Sequence, residues 1–211
     1  MKLTTEQIER IDYVLKYYYS FQKFDDVRLE LLDHIATDVE TEMNHDEISF
    51  DDALDKVLMK WSDQIHQNRG SKYSGVPKIV ARFWKKLDWK YNYSIIPLTI
   101  LIMAILSHFG EQEFLVYIIY GIVFIGLLVN IYLIKLYRQN KFNTVLSIYA
   151  SDQIYIHLGV LILGIVINIY EGDLISFPAQ ALFFQTTITV VLKTLLMRKN
   201  IKIENQLLKI N

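Results

Sequence analysis

The chain has 211 residues, 52% of them hydrophobic, no cysteine and a formal net charge of −1. Without cysteine there can be no disulfides, thiolate metal sites or cysteine nucleophiles. The near-neutral charge is an average over a partition. Residues 1–68 carry sixteen acidic and seven basic side chains, a net charge of −9, whereas residues 69–91 carry seven basic side chains against the single Asp88. From Asn92 onward almost all the charge lies in short connections and at the C-terminus.

Taken in chain order, the pattern predicts an all-α protein in four parts. Residues 1–68 read as an acidic cytoplasmic domain of three helices. The first helix starts at Thr4, an N-cap with Gln7 three residues on to close a capping box and Leu3 placed to staple onto Ile8. The second, from about Asp26 to Asn44, shows Val27, Leu31, Ile35, Val39 and Met43 at i+4 spacing. The third begins at Ser49 and carries the stripe Ala53, Leu54, Val57, Leu58, Trp61 and Ile65. About 65 residues is a marginal size for an independent core, so this domain is expected to lean on a second copy, a partner or the membrane.

On the second helix Glu30, His34, Asp38 and Glu42 repeat every four residues, with Asp33 alongside. An acidic stripe of this kind suits a solvated face or a docking surface for a basic partner. A carboxylate-bridged metal site would need ligands converging from several helices, with paired Glu-x-x-His elements. No second such element exists, so neither a metal nor another cofactor is expected.

Residues 69–93 combine a flexible linker, Gly70 to Gly75, with a basic amphipathic segment. Ile79, Val80, Phe83, Trp84 and Leu87 would share one helix face, with Lys78, Arg82, Lys85, Lys86 and Lys90 around the other. That is the pattern of an interfacial helix at anionic lipid headgroups, each basic residue adding roughly 1 kcal/mol. Nucleic acid is not an expected direct partner, because the adjacent −9 domain would repel it.

Residues 94–199 then read as a membrane domain. Apolar stretches at 94–109, 114–134, 154–170 and 177–196 each approach the ~20 residues needed to cross a bilayer as a helix, which predicts four spans in two hairpins. Lys and Arg collect before the first stretch (Lys78, Arg82, Lys85, Lys86, Lys90), between the second and third (Lys135, Arg138, Lys141) and after the fourth (Arg198, Lys199, Lys202, Lys209). The opposite turns, around 110–113 and 171–173, contain none. By the positive-inside rule both termini face the cytoplasm, with residues 200–211 a cytoplasmic tail. No intramembrane acidic residue is found. Lys193 is near enough to the inner face to snorkel, while Gln185, Thr186, Thr187 and Thr189 suit hydrogen bonds between helices. Gly121 with Gly126, and Gly159 with Gly164, indicate close packing at most.

The stretch VRLELLDHIATDVETEMN followed by SFDDALDKVLMKW resembles HAAS, the cytoplasmic helical signalling domain found ahead of transmembrane helices in bacterial membrane proteins. The matching positions are Arg28, Leu32, Asp33, His34, Glu42, Ser49, Phe50, Ala53 and Leu54. The opening LTxEQI and the DH pair are similar to those of chains from Bacteroidetes-type bacteria. The resemblance implies a multi-pass protein of the bacterial inner membrane that couples membrane state to regulators, often beside PadR-like transcription factors, with no enzymatic activity. The expectation is therefore a non-enzymatic signalling or regulatory membrane protein whose domain docks a cytoplasmic or membrane protein, or a second copy of the chain. The alternative is an accessory or scaffold subunit of a membrane transporter complex.

Overall fold

The computed structural model describes residues 2–69, 71–109, 112–139, 143–171 and 177–207. Most of the two turns at 110–113 and 171–173 lies outside the described residues, as do Lys141 and Lys209. Among the described residues every element is helical, apart from an isolated backbone bridge between Gln67 and Pro77. The chain divides into two compact units, Met1–Lys86 with Phe142–Ile148, and Leu87–Lys141 with Tyr149–Asn211.

The first unit opens on α1 (Thr5–Tyr13), whose Thr4–Gln7 capping box forms as the sequence predicts. A π-helical turn, Val14–Tyr18, follows and ends at Ser20, which adopts a left-handed conformation with φ 65°. Then come α2 (Asp25–Asp46) and α3 (Phe50–Ile65), the latter capped by the Ser49 hydroxyl accepting from the Asp52 N–H. Leu31, Ile35 and Val39 supply the buried face of α2, and Ala53, Leu54, Val57, Leu58 and Ile65 that of α3. The i+4 stripes seen in the sequence are thus the seam of the core. Arg28, near the start of α2, is mostly buried and pairs with Asp12 and Asp25, tying α2 to α1.

The segment expected as a flexible linker is an ordered loop. The Asn68 N–H donates to the Val76 carbonyl, the Gly75 N–H to the Asn68 carbonyl and the Lys78 N–H to the His66 carbonyl. Tyr73 is buried edge-on against Trp84, with ring centroids 5.7 Å apart. Nor do residues 78–93 form a separate helix. They are the first half of α4, Lys78–Phe109. Within the first unit Val80, Ala81 and Trp84 are buried, so much of the apolar face expected to rest on lipid is used for internal packing instead.

The second unit is built from the rest of α4, α5 (Gln112–Gln139), α7 (Ile154–Glu171) and α8 (Phe177–Leu207); the short α6 (Val145–Ser151) starts in the first unit. Three stretches are long and apolar enough to cross a membrane: Tyr117–Gln139, Val145–Val166 and Gln180–Lys202. Their outward faces remain apolar, as with Phe124, Leu128, Ile156, Leu163 and Leu195, which fits lipid rather than water as the surrounding medium. Inside, Met103, Ile119, Val123, Leu161, Phe183 and Phe184 form one cluster, and Leu133, Leu136, Ala150, Ile154 and Met197 another.

One glycine of each five-residue pair is a contact point. A Cβ on Gly126 would stand 2.6 Å from the Thr187 hydroxyl, and one on Gly164 would stand 2.7 Å from the Phe183 ring, whereas Gly121 and Gly159 face open space. Gly126→Ala and Gly164→Ala should each destabilise the bundle by about 1–3 kcal/mol through overpacking. Gly121→Ala and Gly159→Ala should stay within roughly 1 kcal/mol of wild type. Thermal unfolding in detergent separates the two classes.

Candidate functional site

The four-residue acidic repeat on α2 begins as a consequence of helix geometry, since residues four apart lie on one face. Its members part company in the structure. Asp38 accepts from the Trp61 indole N–H at 2.9 Å and from Lys60 at 3.0 Å, both on α3. Glu42 and Asp46 share Lys56, also on α3. His34 stacks against Trp61 with ring centroids 6.2 Å apart and planes 19° from parallel. The lower part of the stripe is therefore an ion-paired seam between α2 and α3. Glu30 and Asp33, by contrast, are exposed and have no cationic partner among the described residues.

The seam tunes its own carboxylates. Partial burial opposes the charge on Asp38, but hydrogen bonds from Trp61 and Lys60, with the Lys60 and His34 charges, outweigh it and hold the carboxyl below its ordinary value. Hydrogen bonds from Lys56 and His45 bring Asp46 down to about 2, and the same pairing raises Lys56. No group of three or more His, Asp or Glu side chains among the described residues converges as metal ligands would.

The basic side chains also divide. Lys78 and Arg82 both pair with Asp63, at the far end of α3. The Arg82 hydrogen bond, then that of Lys78, lowers the Asp63 carboxyl. Lys85, Lys86 and Lys90 are exposed.

A third group of residues carries no signal in the sequence pattern. The Asp26 carboxylate accepts from the Val145 N–H at 3.0 and 3.1 Å, the Trp84 indole donates to the Val145 carbonyl at 3.1 Å, and the Asp25 N–H donates to the Asn143 carbonyl at 2.8 Å. Asp25 and Val145 each begin a helix, so two orphan N-terminal donors find partners in this way. Thr144 and Ser147 complete the start of α6 with reciprocal hydroxyl–backbone bonds of 3.0 Å. An Asp pair at the start of a predicted helix was the available hint, but it reads equally well as a response to the helix dipole.

Inside the second unit several polar side chains find hydrogen-bond partners, whereas the buried Thr99 hydroxyl and Asn130 amide oxygen have none among the described residues. Lys193 is buried; its ammonium donates to the Asp152 carbonyl and lies 5.5 Å over the Tyr149 ring. The Tyr149 hydroxyl donates to Asp88 at 2.7 Å. Thr187 reaches the Ile122 carbonyl of α5 at 3.5 Å, while Thr189 bonds back to the Gln185 carbonyl of its own helix. The Asn130 amide, fully buried, donates to the Ile154 carbonyl at 3.3 Å.

No protein-family model, curated protein or solved structure matches the chain.

Asp38, Asp46 and Asp63 all ionise more readily in the folded chain than in an unfolded one, where an aspartate titrates near ~3.9. Their contribution to stability is therefore complete at neutral pH and is lost as the pH falls from about 4 through their lowered values, Asp46 lying lowest at about 2. The melting temperature of the first unit should fall across this range. A variant combining Asp38→Asn with Asp46→Asn should start lower at neutral pH and show a flatter acid limb. An unchanged acid limb would mean that the seam contributes nothing.

Proposed function

We propose that this chain is a non-enzymatic signalling or regulatory membrane protein, whose N-terminal helical unit docks a protein partner on the cytoplasmic face of a four-span helical domain. The observation that carries the reading is the composition of the first unit. It holds α1 to α3 together with the starts of two helices, α4 and α6, that continue into the apolar unit. A partner bound to α1–α3 thus acts on a body that contains the roots of two apolar helices.

The same composition supports the count of four. Lys86 and Asn143 belong to one compact unit, which supports an even number of crossings between them. α5 accounts for one crossing. The apolar residues 94–109 of α4 supply the other. The basic residues before α4, after α5 and after α8 support a cytoplasmic location for this side by the positive-inside rule. The inner membrane of a bacterium follows from the resemblance to HAAS-containing proteins, as does the signalling role.

Because the chain contains no cysteine, single-cysteine variants report topology directly. Glu111→Cys and Asp173→Cys should react with a membrane-impermeant maleimide added to intact cells. Glu47→Cys and Lys202→Cys should react only after permeabilisation. External labelling at position 47 or 202 contradicts the arrangement.

Docking is assigned to the open end of the acidic face, Glu30 and Asp33, since His34, Asp38 and Glu42 are engaged by α3. In the full chain, Glu30→Lys combined with Asp33→Lys should abolish a partner cross-linked in native membranes without shifting the melting temperature. Retention of every cross-linked partner by that variant defeats the docking reading.

A further inference from the structure

We infer that the first unit carries a binding site for a phosphate group, built by Lys78, Arg82 and Lys85. The three cations recur at positions i, i+4 and i+7 of α4 and so share one helix face. They line a cleft of about 400 Å³, closed by Asn68, Tyr73 and Ala81. All six residues belong to the first unit.

An anion already sits against this cluster. The Asp63 carboxylate lies 3.1 Å from the Lys78 ammonium and 2.5 Å from the Arg82 guanidinium, on a side chain that is 69% exposed. The one carboxylate pairs with Lys78 and Arg82, and Lys85 has no acidic partner among the described residues. The cluster thus keeps two uncompensated positive charges with Asp63 in place. A phosphate group, with up to two negative charges and three acceptor oxygens, matches that deficit better than a carboxylate does. The guanidinium of Arg82 can bind two of its oxygens at once, with lysine ammonium groups supplying point charges beside it. Lys78 opens α4, and the helix dipole favours an anion at that first turn.

Exposed ion pairs like those of Asp63 hold weakly, so an incoming phosphate displaces the carboxylate. Displacement removes the side-chain ion pairs between α3 and α4 and leaves the Lys78 N–H bonded to the His66 carbonyl. The same helix presents Lys56, Lys60 and Trp61 to α2. The site does not depend on whether the domain docks a protein.

The test uses the full chain in a neutral detergent. Binding of three probes is followed by thermophoresis: glycerol 3-phosphate, short-chain phosphatidylglycerol and, as a zwitterionic control, short-chain phosphatidylcholine. Saturable binding of glycerol 3-phosphate identifies a soluble phosphate ester as the ligand. Preference for phosphatidylglycerol over phosphatidylcholine without glycerol 3-phosphate binding identifies a lipid headgroup. Lys85→Gln, which breaks no ion pair, should weaken the bound probe severalfold, and the pair Arg82→Gln with Lys85→Gln roughly tenfold. Asp63→Asn should strengthen it severalfold, because the resident competitor is gone. Asp51→Asn, with the same change in net charge but placed on the Arg10 pair, should leave affinity unchanged. Failure of both phosphate probes to bind, wild-type affinity in the Arg82/Lys85 variant, or equal effects of Asp63→Asn and Asp51→Asn would each overturn the proposal.

Discussion

Val145 is gripped at both polar groups of its backbone: the Asp26 carboxylate takes its N–H and the Trp84 indole reaches its carbonyl. Three segments far apart in sequence, the start of α2, the first turns of α4 and the start of α6, are joined there. The bonds are of the kind that cannot be dropped cheaply. A charge-assisted bond to a helix N-terminus is stronger than a neutral one, and a buried indole N–H left without an acceptor carries its full desolvation cost. Around them Phe24 and Tyr73 pack edge-on to Trp84, with ring centroids 5.9 and 5.7 Å away. This grip is why the segment after α5 counts with the N-terminal helices rather than with the apolar unit, and the even number of crossings proposed above rests on it.

Much of the first unit was legible because its signals are local. The Thr4 and Ser49 caps and the i+4 stripes of α2 and α3 depend on residues within a turn or two of each other, and all appear in the structure. What could not be read is the partner of a face. Glu30 to Glu42 and Lys56 to Lys60 each look like a solvated charged stripe when taken alone. Only the packing of α2 on α3 brings Asp38 to Lys60 and Glu42 to Lys56. The apolar face of residues 79–87 was recognised as amphipathic, but an amphipathic face has the same signature whether it meets lipid or a protein core. The aromatic rings of Phe24 and Tyr73 decided for the core.

The apolar unit shows the same division. Five-residue glycine spacing suggested close packing without saying which glycine makes the contact; Thr187 and Phe183, from another helix, select Gly126 and Gly164. Lys193 was expected to extend toward an interface. The structure gives it a nearer solution, a backbone carbonyl and the face of Tyr149, which together compensate an ammonium that has little access to water.

α3 is the element through which these charges meet. Its first half offers Lys56, Lys60 and Trp61 to the carboxylates of α2, and its last turn offers Asp63 to the cations of α4. The two ends differ in character. The α2 side combines ion pairs with an indole hydrogen bond and a stacked histidine, so it resists change. On the α4 side the side chains meet in exposed ion pairs, which salt and competing anions weaken readily, beside the backbone bond from Lys78 to His66. A rigid helix fastened firmly at one face and loosely at its end is suited to pass on a change in charge at the root of α4. The loose end is where such a change would first act, and the seam with α2 is where it would be registered.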